Sequence, residues 1–178
     1  MKTLCQLTCL LVLFAAQSAK AVTVEYNLAA LGGNSFQYEY TVTNDGSLGA
    51  GVAIEWFAVL FDPALYDETS LTIVTPEPLN TDWDQIILSS GLLIPAAYDA
   101  FALTSSIAEG ESVTGFSVIF DWLGAGLPGS QAFEIYDATT NDLIYEGMTV
   151  VPLPGAFILL LTSLFSMGAL NVKRRLIG

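Results

Sequence analysis

The sequence has no histidine, and its few basic residues are confined to the two ends of the chain. Residues 22–150 contain no lysine and no arginine, yet they hold all 18 acidic residues, so the formal charge of this segment is −18. A segment without cations cannot neutralise phosphate groups, which excludes nucleic-acid binding through it. Such a high like-charge density also opposes the compact state unless external cations screen it.

The same missing side chains limit catalysis. Without His, Cys, Lys or Arg in residues 22–150, no Ser-His-Asp or Cys-His arrangement, Schiff-base lysine or histidine metal site can form there. Pairs of carboxylates are present and leave glycoside hydrolysis open in principle, but the sequence singles out no pair. We therefore predict that the protein is not an enzyme.

The N-terminus has the features of a secretory signal. Lys2 supplies a positive charge, a short apolar run follows, and Ala19-Lys20-Ala21 has the small-x-small form of a signal peptidase site. We predict that residues 1–21 are removed and that the mature chain starts at Val22. Both cysteines lie in the signal, so the mature chain has no disulfide.

The C-terminus combines an uncharged segment with a basic cluster. Residues 155–172 carry no charge, and as a helix they would span about 27 Å, close to the ~30 Å of a bilayer's hydrocarbon core. Lys173, Arg174 and Arg175 follow at once and form a stop-transfer signal. Because positive residues stay on the cytoplasmic side, we predict a membrane-spanning helix with its C-terminus inside and the acidic domain outside.

A proline motif precedes this helix. Val151-Pro152-Leu153-Pro154-Gly155, the spanning segment and the basic end together resemble the PEP-CTERM sorting signal in its "VPLPGA" variant, although the commoner form of the motif has Glu in place of Leu153. The resemblance implies that an exosortase, a membrane protease or transpeptidase, recognises residues 151–155 and that the helix is later removed.

The resemblance also implies a location and a setting. The chain would sit first in the inner membrane of a Gram-negative bacterium, with residues 22–150 in the periplasm, and then reach the cell surface or an exopolysaccharide matrix. The alternative is a plain single-pass membrane protein with a periplasmic domain. In both cases we divide the chain into a signal peptide, residues 1–21, a domain, residues 22–150, and a tail, residues 151–178.

Alternation of apolar and polar residues dominates the segment 22–150. In "FQYEYTVTN", Phe36, Tyr38, Tyr40 and Val42 share one face, which is typical of a half-buried strand. Similar runs are separated by Gly, Pro, Asn and Asp clusters. We predict eight or nine strands in an all-β, antiparallel two-sheet sandwich, Ig-like or jelly-roll-like. The predicted strands lie in "VTVEYNL", "FQYEYTVTN", "VAIEWFAVLF", "SLTIVT", "WDQIIL", "ESVTGFSVIFDW", "QAFEIYD" and "DLIYEG".

Two acidic segments are candidates for calcium, the one cofactor that the sequence suggests. Carboxylate oxygens suit Ca²⁺, and we expect Asp82 and Asp84 on the same side of an extended segment, with Asp62, Asp67 and Glu68 forming a second group. Neither group has the spacing of an EF-hand loop. The alternative for each is a solvated acidic face.

The three tryptophans are candidates for stacking on sugar rings. Trp56 and Trp122 lie within apolar runs, which favours core packing, whereas Trp83 stands between two aspartates after a polar turn. We therefore expect Trp83 to be the exposed one and the candidate carbohydrate-binding residue.

Two functional classes remain open. The first is a structural or interaction protein of the envelope or matrix, delivered by the tail. The second is a carbohydrate-binding module, assisted by Ca²⁺, that holds the exopolysaccharide. An exposed cluster of Trp and Tyr flanked by Asp would favour the second class, whereas three buried tryptophans would favour the first.

Overall fold

A computed structural model describes residues 21–91 and 94–152. Most of the predicted signal peptide and the tail from residue 153 onward, including the predicted helix 155–172 and the basic cluster, lie outside the described residues. Within the described ranges, no helix is long and apolar enough to cross a membrane. The strands are β1 (Thr23–Gly32), β2 (Ser35–Thr43), β3 (Trp56–Phe61), β4 (Tyr66–Ile73), β5 (Trp83–Leu88), β6 (Ala96–Ala102), β7 (Ser112–Trp122), β8 (Ala132–Tyr136) and β9 (Leu143–Met148).

The strands form two antiparallel sheets, as the alternation predicts. The four-stranded sheet has the order β1-β2-β7-β4 and the five-stranded sheet the order β5-β6-β3-β8-β9. In the described part of the chain, the one helix is α1 (Leu79–Asp82), a single turn before β5. The prediction of an all-β two-sheet sandwich is therefore confirmed.

The β1–β2 hairpin follows directly from its sequence. Gly32 and Gly33 have φ values of 117° and 59°, which side chains with a β-carbon rarely adopt, so the "GG" pair permits the tight turn. Along β2 the burial alternates without exception, and Phe36, Tyr38, Tyr40 and Val42 all face the core. The predicted inward face of this strand is confirmed.

The space between the sheets is filled mainly by aromatic rings. Tyr40 of the four-stranded sheet stacks on Tyr98 of the other at 6.2 Å between ring centroids, and Phe57 meets Phe116 edge-to-face at 4.9 Å. Burial raises the pKa of Tyr40 and of Tyr98. Both hydroxyls therefore stay protonated and donate to glutamine side chains, Tyr40 to Gln131 and Tyr98 to Gln85, at 2.5 Å each.

Strand β6 is not among the predicted strands. Its sequence, "AAYDAFA", contains four alanines, and alanine has little preference for strands. It is nevertheless paired on both sides, with β3 and with β5. Its small side chains at Ala96 and Ala100 are fully buried, so tertiary packing rather than local propensity places this strand.

The last described residues join the two sheets at one edge. The Thr149 N–H donates to the Gln131 carbonyl at 2.7 Å, next to the five-stranded sheet, and Val150 pairs with β1 of the four-stranded sheet. The Tyr26 N–H donates to the Val150 carbonyl at 2.9 Å. Val151, the first residue of the predicted sorting motif, follows immediately and is exposed.

Candidate functional site

Three aromatic side chains form a row across the outer face of the five-stranded sheet. Phe101 of β6, Trp56 of β3 and Tyr136 of β8 are register partners on adjacent strands. The ring of Trp56 lies 4.7 Å from that of Tyr136 and 6.2 Å from that of Phe101, measured between centroids. Strands are spaced by about 4.8 Å, so this aromatic row extends about 10 Å across the sheet. Phe101 is exposed, and the other two rings are partly exposed.

A row of carboxylates runs beside the aromatic row, two residues further along the strands. Asp99 of β6 and Glu134 of β8 both pair with Ala58 of β3, and Glu134 pairs in turn with Glu146 of β9. These three residues are named the acidic row. Ala58 stands between Asp99 and Glu134 in this row and is itself buried.

Hydrogen bonds tie the two rows together. The Trp56 Nε1–H donates to Asp99 Oδ2 at 2.7 Å, and the Tyr136 hydroxyl donates to Glu134 Oε2. Each bond fixes the orientation of a ring that would otherwise be free on an outer face. Because a carboxylate can accept several hydrogen bonds, Glu134 keeps acceptor capacity for a ligand.

The protonation states of these groups follow from their surroundings. Burial raises the pKa of Asp99, and repulsion from Asp84 raises it further, whereas the hydrogen bond from Trp56 lowers it. Burial, together with the hydrogen bond and the charge of Glu134, raises the pKa of Tyr136 to about 12. At neutral pH Tyr136 is therefore a donor, and the face offers ring surfaces and acceptors but no positive charge.

Aliphatic side chains on the two edge strands lie at the acidic row and on its side away from the aromatic row. Ile86 and Leu88 on β5 and Met148 on β9 are 45, 45 and 57% exposed. Asp84 stands opposite Phe101 at one end of the aromatic row. The face is therefore amphipathic, with its rings on the three central strands at one end of the sheet.

A cleft lies elsewhere on the sandwich, between the segments that follow β3, β5 and β7. It has a volume of about 720 Å³ and is lined by Tyr66, Trp122, Asp62, Ile94 and Pro95, among others. Trp122 is only 9% exposed and packs edge-on against Tyr66 at 4.9 Å, so it offers little ring surface. The Asp62 carboxylate accepts the Ala64 N–H of its own turn at 2.9 Å. This cleft is a weaker candidate than the outer face.

The expectation that Trp83 is exposed is wrong. Trp83 is 1% exposed and packs edge-to-face against Phe57 and Phe116 at 5.8 and 5.1 Å. Side chains alternate between the two faces along β5. Trp83, its first residue, faces the core, and Asp84 therefore faces outward.

The expectation for Trp56 is also wrong, whereas that for Trp122 is confirmed. Trp56 and Phe57 are neighbours on one strand, so only one of them can face the core. Phe57 takes the inner position and is fully buried. The alternation in "EWFAVLF" puts Trp56 and Phe57 on opposite faces. Because almost the whole run is apolar, it does not indicate which of the two faces the core. Trp122 is buried as predicted.

The candidate calcium ligands do not converge. Asp67 accepts the N–H and the hydroxyl of Thr69 at 3.0 and 2.7 Å, and Glu68 accepts the Ser90 N–H at 2.9 Å. Asp62 and Asp67 therefore accept from residues two positions ahead of them, whereas Glu68 accepts from the segment after β5. Within residues 21–91 and 94–152, no group of three acidic side chains could hold a metal ion.

Asp82 and Asp84 do not share an extended segment, and that expectation is wrong. Asp82 ends helix α1 and accepts the Thr104 hydroxyl at 2.8 Å, whereas Asp84 lies in β5. The sequence does not predict this helical turn, because a helix of four residues is too short to show a 3.6-residue periodicity. Calcium binding stays a prediction.

No protein-family model and no curated protein matches the chain. Among solved structures, the chain is similar to the chitin-binding domain of Chi18aC from Streptomyces coelicolor, with 19% identity and a TM-score of 0.41, covering 65% of this chain and 91% of that one. It is also similar to a chain of the CaDoc0917–CaCohA2 complex, with 13% identity and a TM-score of 0.33, covering 73% of this chain and all of that one. At these scores the similarities identify neither a family nor a ligand.

Proposed function

We propose that the chain is an exported, exosortase-sorted protein of the cell surface or matrix whose β-sandwich binds polysaccharide through the aromatic row. The observation that carries the binding proposal is the row of Phe101, Trp56 and Tyr136 beside aligned carboxylates on an outer sheet face. Aromatic faces pack against the apolar faces of sugar rings, and carboxylates accept hydrogen bonds from sugar hydroxyls. Polysaccharide binding needs both kinds of contact along a line, which is what this face offers.

The charge of the domain narrows the ligand class. A formal charge of −18 over residues 22–150 repels uronic acids, sulfates and phosphates, because like charges at an interface oppose association. Neutral chains and amino-sugar chains remain. An ammonium group on a sugar can pair with Glu134 or Glu146, and it can also lie over an aromatic ring.

Delivery is proposed to follow the tail. Signal peptidase would release Val22, the helix 155–172 would hold the chain in the inner membrane, and an exosortase-type enzyme would act at residues 151–155. The exposure of Val151 directly after the last paired residue supports access by such an enzyme. Two prolines separated by one residue also keep this stretch out of helix and sheet.

A second candidate function is protein binding by the same face. The exposed side chains of Ile86 and Leu88 on one edge strand and of Met148 on the opposite edge strand favour it, because exposed apolar surface marks interaction sites. In that case the domain is an interaction module of the envelope that needs no sugar.

The binding experiment uses the full chain exported in a bacterial host and solubilised in detergent. Retention is measured on insoluble cellulose, chitin and chitosan, with alginate and pectin as anionic polymers. We expect binding to at least one neutral or amino-sugar polymer and a loss of about tenfold or more in Trp56→Ala, the scale of one lost stacking contact of about 1.4 kcal/mol. Leu123→Ala, an exposed apolar residue elsewhere, is the matched control and should bind like wild type.

The outcomes separate the candidates. Equal retention of wild type and Trp56→Ala would show that the aromatic row is not the site. Preference for alginate or pectin would overturn the ligand class alone. A wild-type chain that is retained by none of the five polymers would leave the interaction protein as the better candidate.

The sorting experiment is independent of the ligand. Changing Pro152 and Pro154 to Ala leaves the apolar length and the basic cluster intact, so the chain should still insert, but its release should be blocked. Fractionation of wild type and double variant in a host with an exosortase measures this. If both stay in the inner membrane with intact C-termini, the plain single-pass alternative is correct.

A further inference from the structure

The loop after β2 binds the backbone on both sides of the predicted signal cleavage point. The Val22 N–H donates to Ser47 Oγ at 3.0 Å, and the Ala21 N–H donates to Asp45 Oδ2. The side chain of Val22 is 2% exposed, because it enters the core just before β1. The nitrogen of Val22 is therefore held in place by packing as well as by its hydrogen bond.

The loop itself is held by a fully buried asparagine. Asn44 Nδ2 donates to the carbonyls of Val52 and Ile107 at 2.8 and 3.0 Å, and its Oδ1 accepts the Gly46 N–H at 3.1 Å. All of these partners are backbone groups, so the loop conformation does not depend on flexible side chains. Asn44 is 0% exposed, and the site is therefore formed before any change at the N-terminus.

The aspartate of this loop is oriented toward the N-terminus. Asp45 Oδ1 accepts the Ser47 N–H at 3.0 Å, which leaves Oδ2 turned to Ala21. A second carboxylate lies nearby, since a β-carbon at Gly46 would collide with the side chain of Glu109. The Glu109 carboxylate also accepts the Gly51 N–H at 3.2 Å, which fixes it beside the same loop.

Cleavage after Ala21 changes the chemistry at this point. The Ala21 N–H leaves with the signal, and the Val22 nitrogen changes from an amide with one donor into an amine. An α-amino group has an ordinary pKa of about 7.7–8.0, so it is mostly an ammonium at neutral pH. Residues 22–150 contain no other cation, and this new charge arises one residue from the backbone N–H that Asp45 accepts.

We propose that the loop Asp45–Ser47 is a binding site for the α-ammonium group of Val22 that signal cleavage creates. The ammonium pairs with the Asp45 carboxylate and keeps its hydrogen bond to Ser47 Oγ. The inference rests on the export step of the proposed function and is independent of polysaccharide binding. It makes processing a stabilising step, because the precursor has an uncharged amide at this position and the mature domain has its one fixed positive charge there.

Acetylation of Val22 is a close test of the charge. An acetyl group occupies the position of the Ala21 carbonyl and α-carbon, so it restores the peptide that the structure already accommodates and removes the charge together with the two additional N–H donors of the ammonium group. Residues 22–150 have no lysine, so within the domain an amine reagent reacts only at Val22. Lys173 reacts too where the tail is retained, equally in every variant.

The experiment uses the exported, processed full chain with Asp45→Asn as the test variant and Glu39→Gln as the control. Asn keeps the Oδ1 acceptor for Ser47, and Glu39 lies further along β2 on the outer face of the same sheet. We expect acetylation to lower the melting temperature of wild type and of Glu39→Gln by about 2–4 °C. It should lower that of Asp45→Asn by less than half as much.

The rate of acetylation gives a second readout that a purely structural loop would not change. Pairing with Asp45 keeps the amine protonated and unreactive, so at pH 7 Asp45→Asn should be acetylated roughly threefold faster or more than wild type. Equal rates and equal melting shifts in all three proteins would overturn the proposal. N-terminal sequencing that finds a start other than Val22 would overturn it together with the predicted cleavage, while polysaccharide binding is judged separately.

Discussion

The outer faces of the two sheets differ although both belong to one acidic domain. On the four-stranded sheet, short polar side chains pair across strands. The hydroxyls of Thr41 and Thr114 lie 3.0 Å apart, and those of Thr43 and Ser112 lie 2.8 Å apart. The outer face of the five-stranded sheet instead carries Trp56, Tyr136 and Phe101. Threonine pairs stabilise neighbouring strands and keep the face polar. Partly exposed aromatic rings leave apolar surface in contact with water, which is a feature of interaction sites. This difference is the reason that we propose the five-stranded sheet, and not the four-stranded one, as the binding face.

The largest expected effect is a loss of stability on removing a tryptophan from the inner face of the five-stranded sheet, compared with removing one from its outer face. Trp83→Ala removes a ring that is 1% exposed and packs against two phenylalanines, so we expect it to lower the free energy of unfolding by about 3–5 kcal/mol. Trp56→Ala should cost less than half of this, because its ring is only partly buried. Urea unfolding of the purified protein, followed by circular dichroism, measures both. Equal losses would mean that Trp56 belongs to the core.

This pair of tryptophans also marks the limit of what the sequence can predict. Alternation fixes the face of Tyr38 and Tyr40, because polar residues flank them and only one phase buries the rings. It does not fix Trp56, whose neighbour Phe57 is equally apolar, so the choice between them depends on which ring fits the opposite sheet. Trp83 was misplaced because its flanking aspartates suggested exposure, although Asp82 belongs to a helical turn and Asp84 to the outer face.

The second prediction compares ligand binding on the two faces. Tyr136→Phe removes the hydroxyl that donates to Glu134 but keeps the ring, and we expect polysaccharide affinity to fall by about two- to fivefold, the scale of one hydrogen bond. Thr41→Val, paired with Thr114 on the opposite face, should leave affinity unchanged. Isothermal titration with a soluble oligosaccharide of the polymer that binds wild type measures the difference. An effect of Thr41→Val as large as that of Tyr136→Phe would contradict the assignment to one face.

The third prediction concerns the charge that both faces share. With 18 acidic residues and no internal lysine or arginine, repulsion destabilises the folded domain, and screening should recover part of the loss. We expect millimolar Ca²⁺ to raise the melting temperature by a few degrees relative to EDTA, and sodium chloride at the same ionic strength to raise it less. A melting temperature that responds equally to both salts would indicate screening alone, and one that responds to neither would contradict the charge argument.

The smallest expected effect concerns Asp99, the buried member of the acidic row. Burial raises its pKa in the folded state, so above its unfolded value of about 3.9 the folded protein retains a proton that the unfolded chain has released. Asp99 therefore lowers stability progressively as pH rises through this window, and the loss is complete above the folded pKa.

Asp99→Asn removes the titration, while its Oδ1 can still accept the Trp56 Nε1–H. We expect the variant to melt about 1–2 °C above wild type at pH 7 and the difference to shrink toward pH 4. Using the difference between the two proteins cancels the other carboxylates, of which Glu68, Glu77 and Asp137 have lowered pKa values and the opposite pH dependence. If Asp99→Asn melts below wild type at pH 7, the ionised Asp99–Trp56 hydrogen bond outweighs the cost of burying the charge, and the acidic row stabilises the face as well as completing the proposed site.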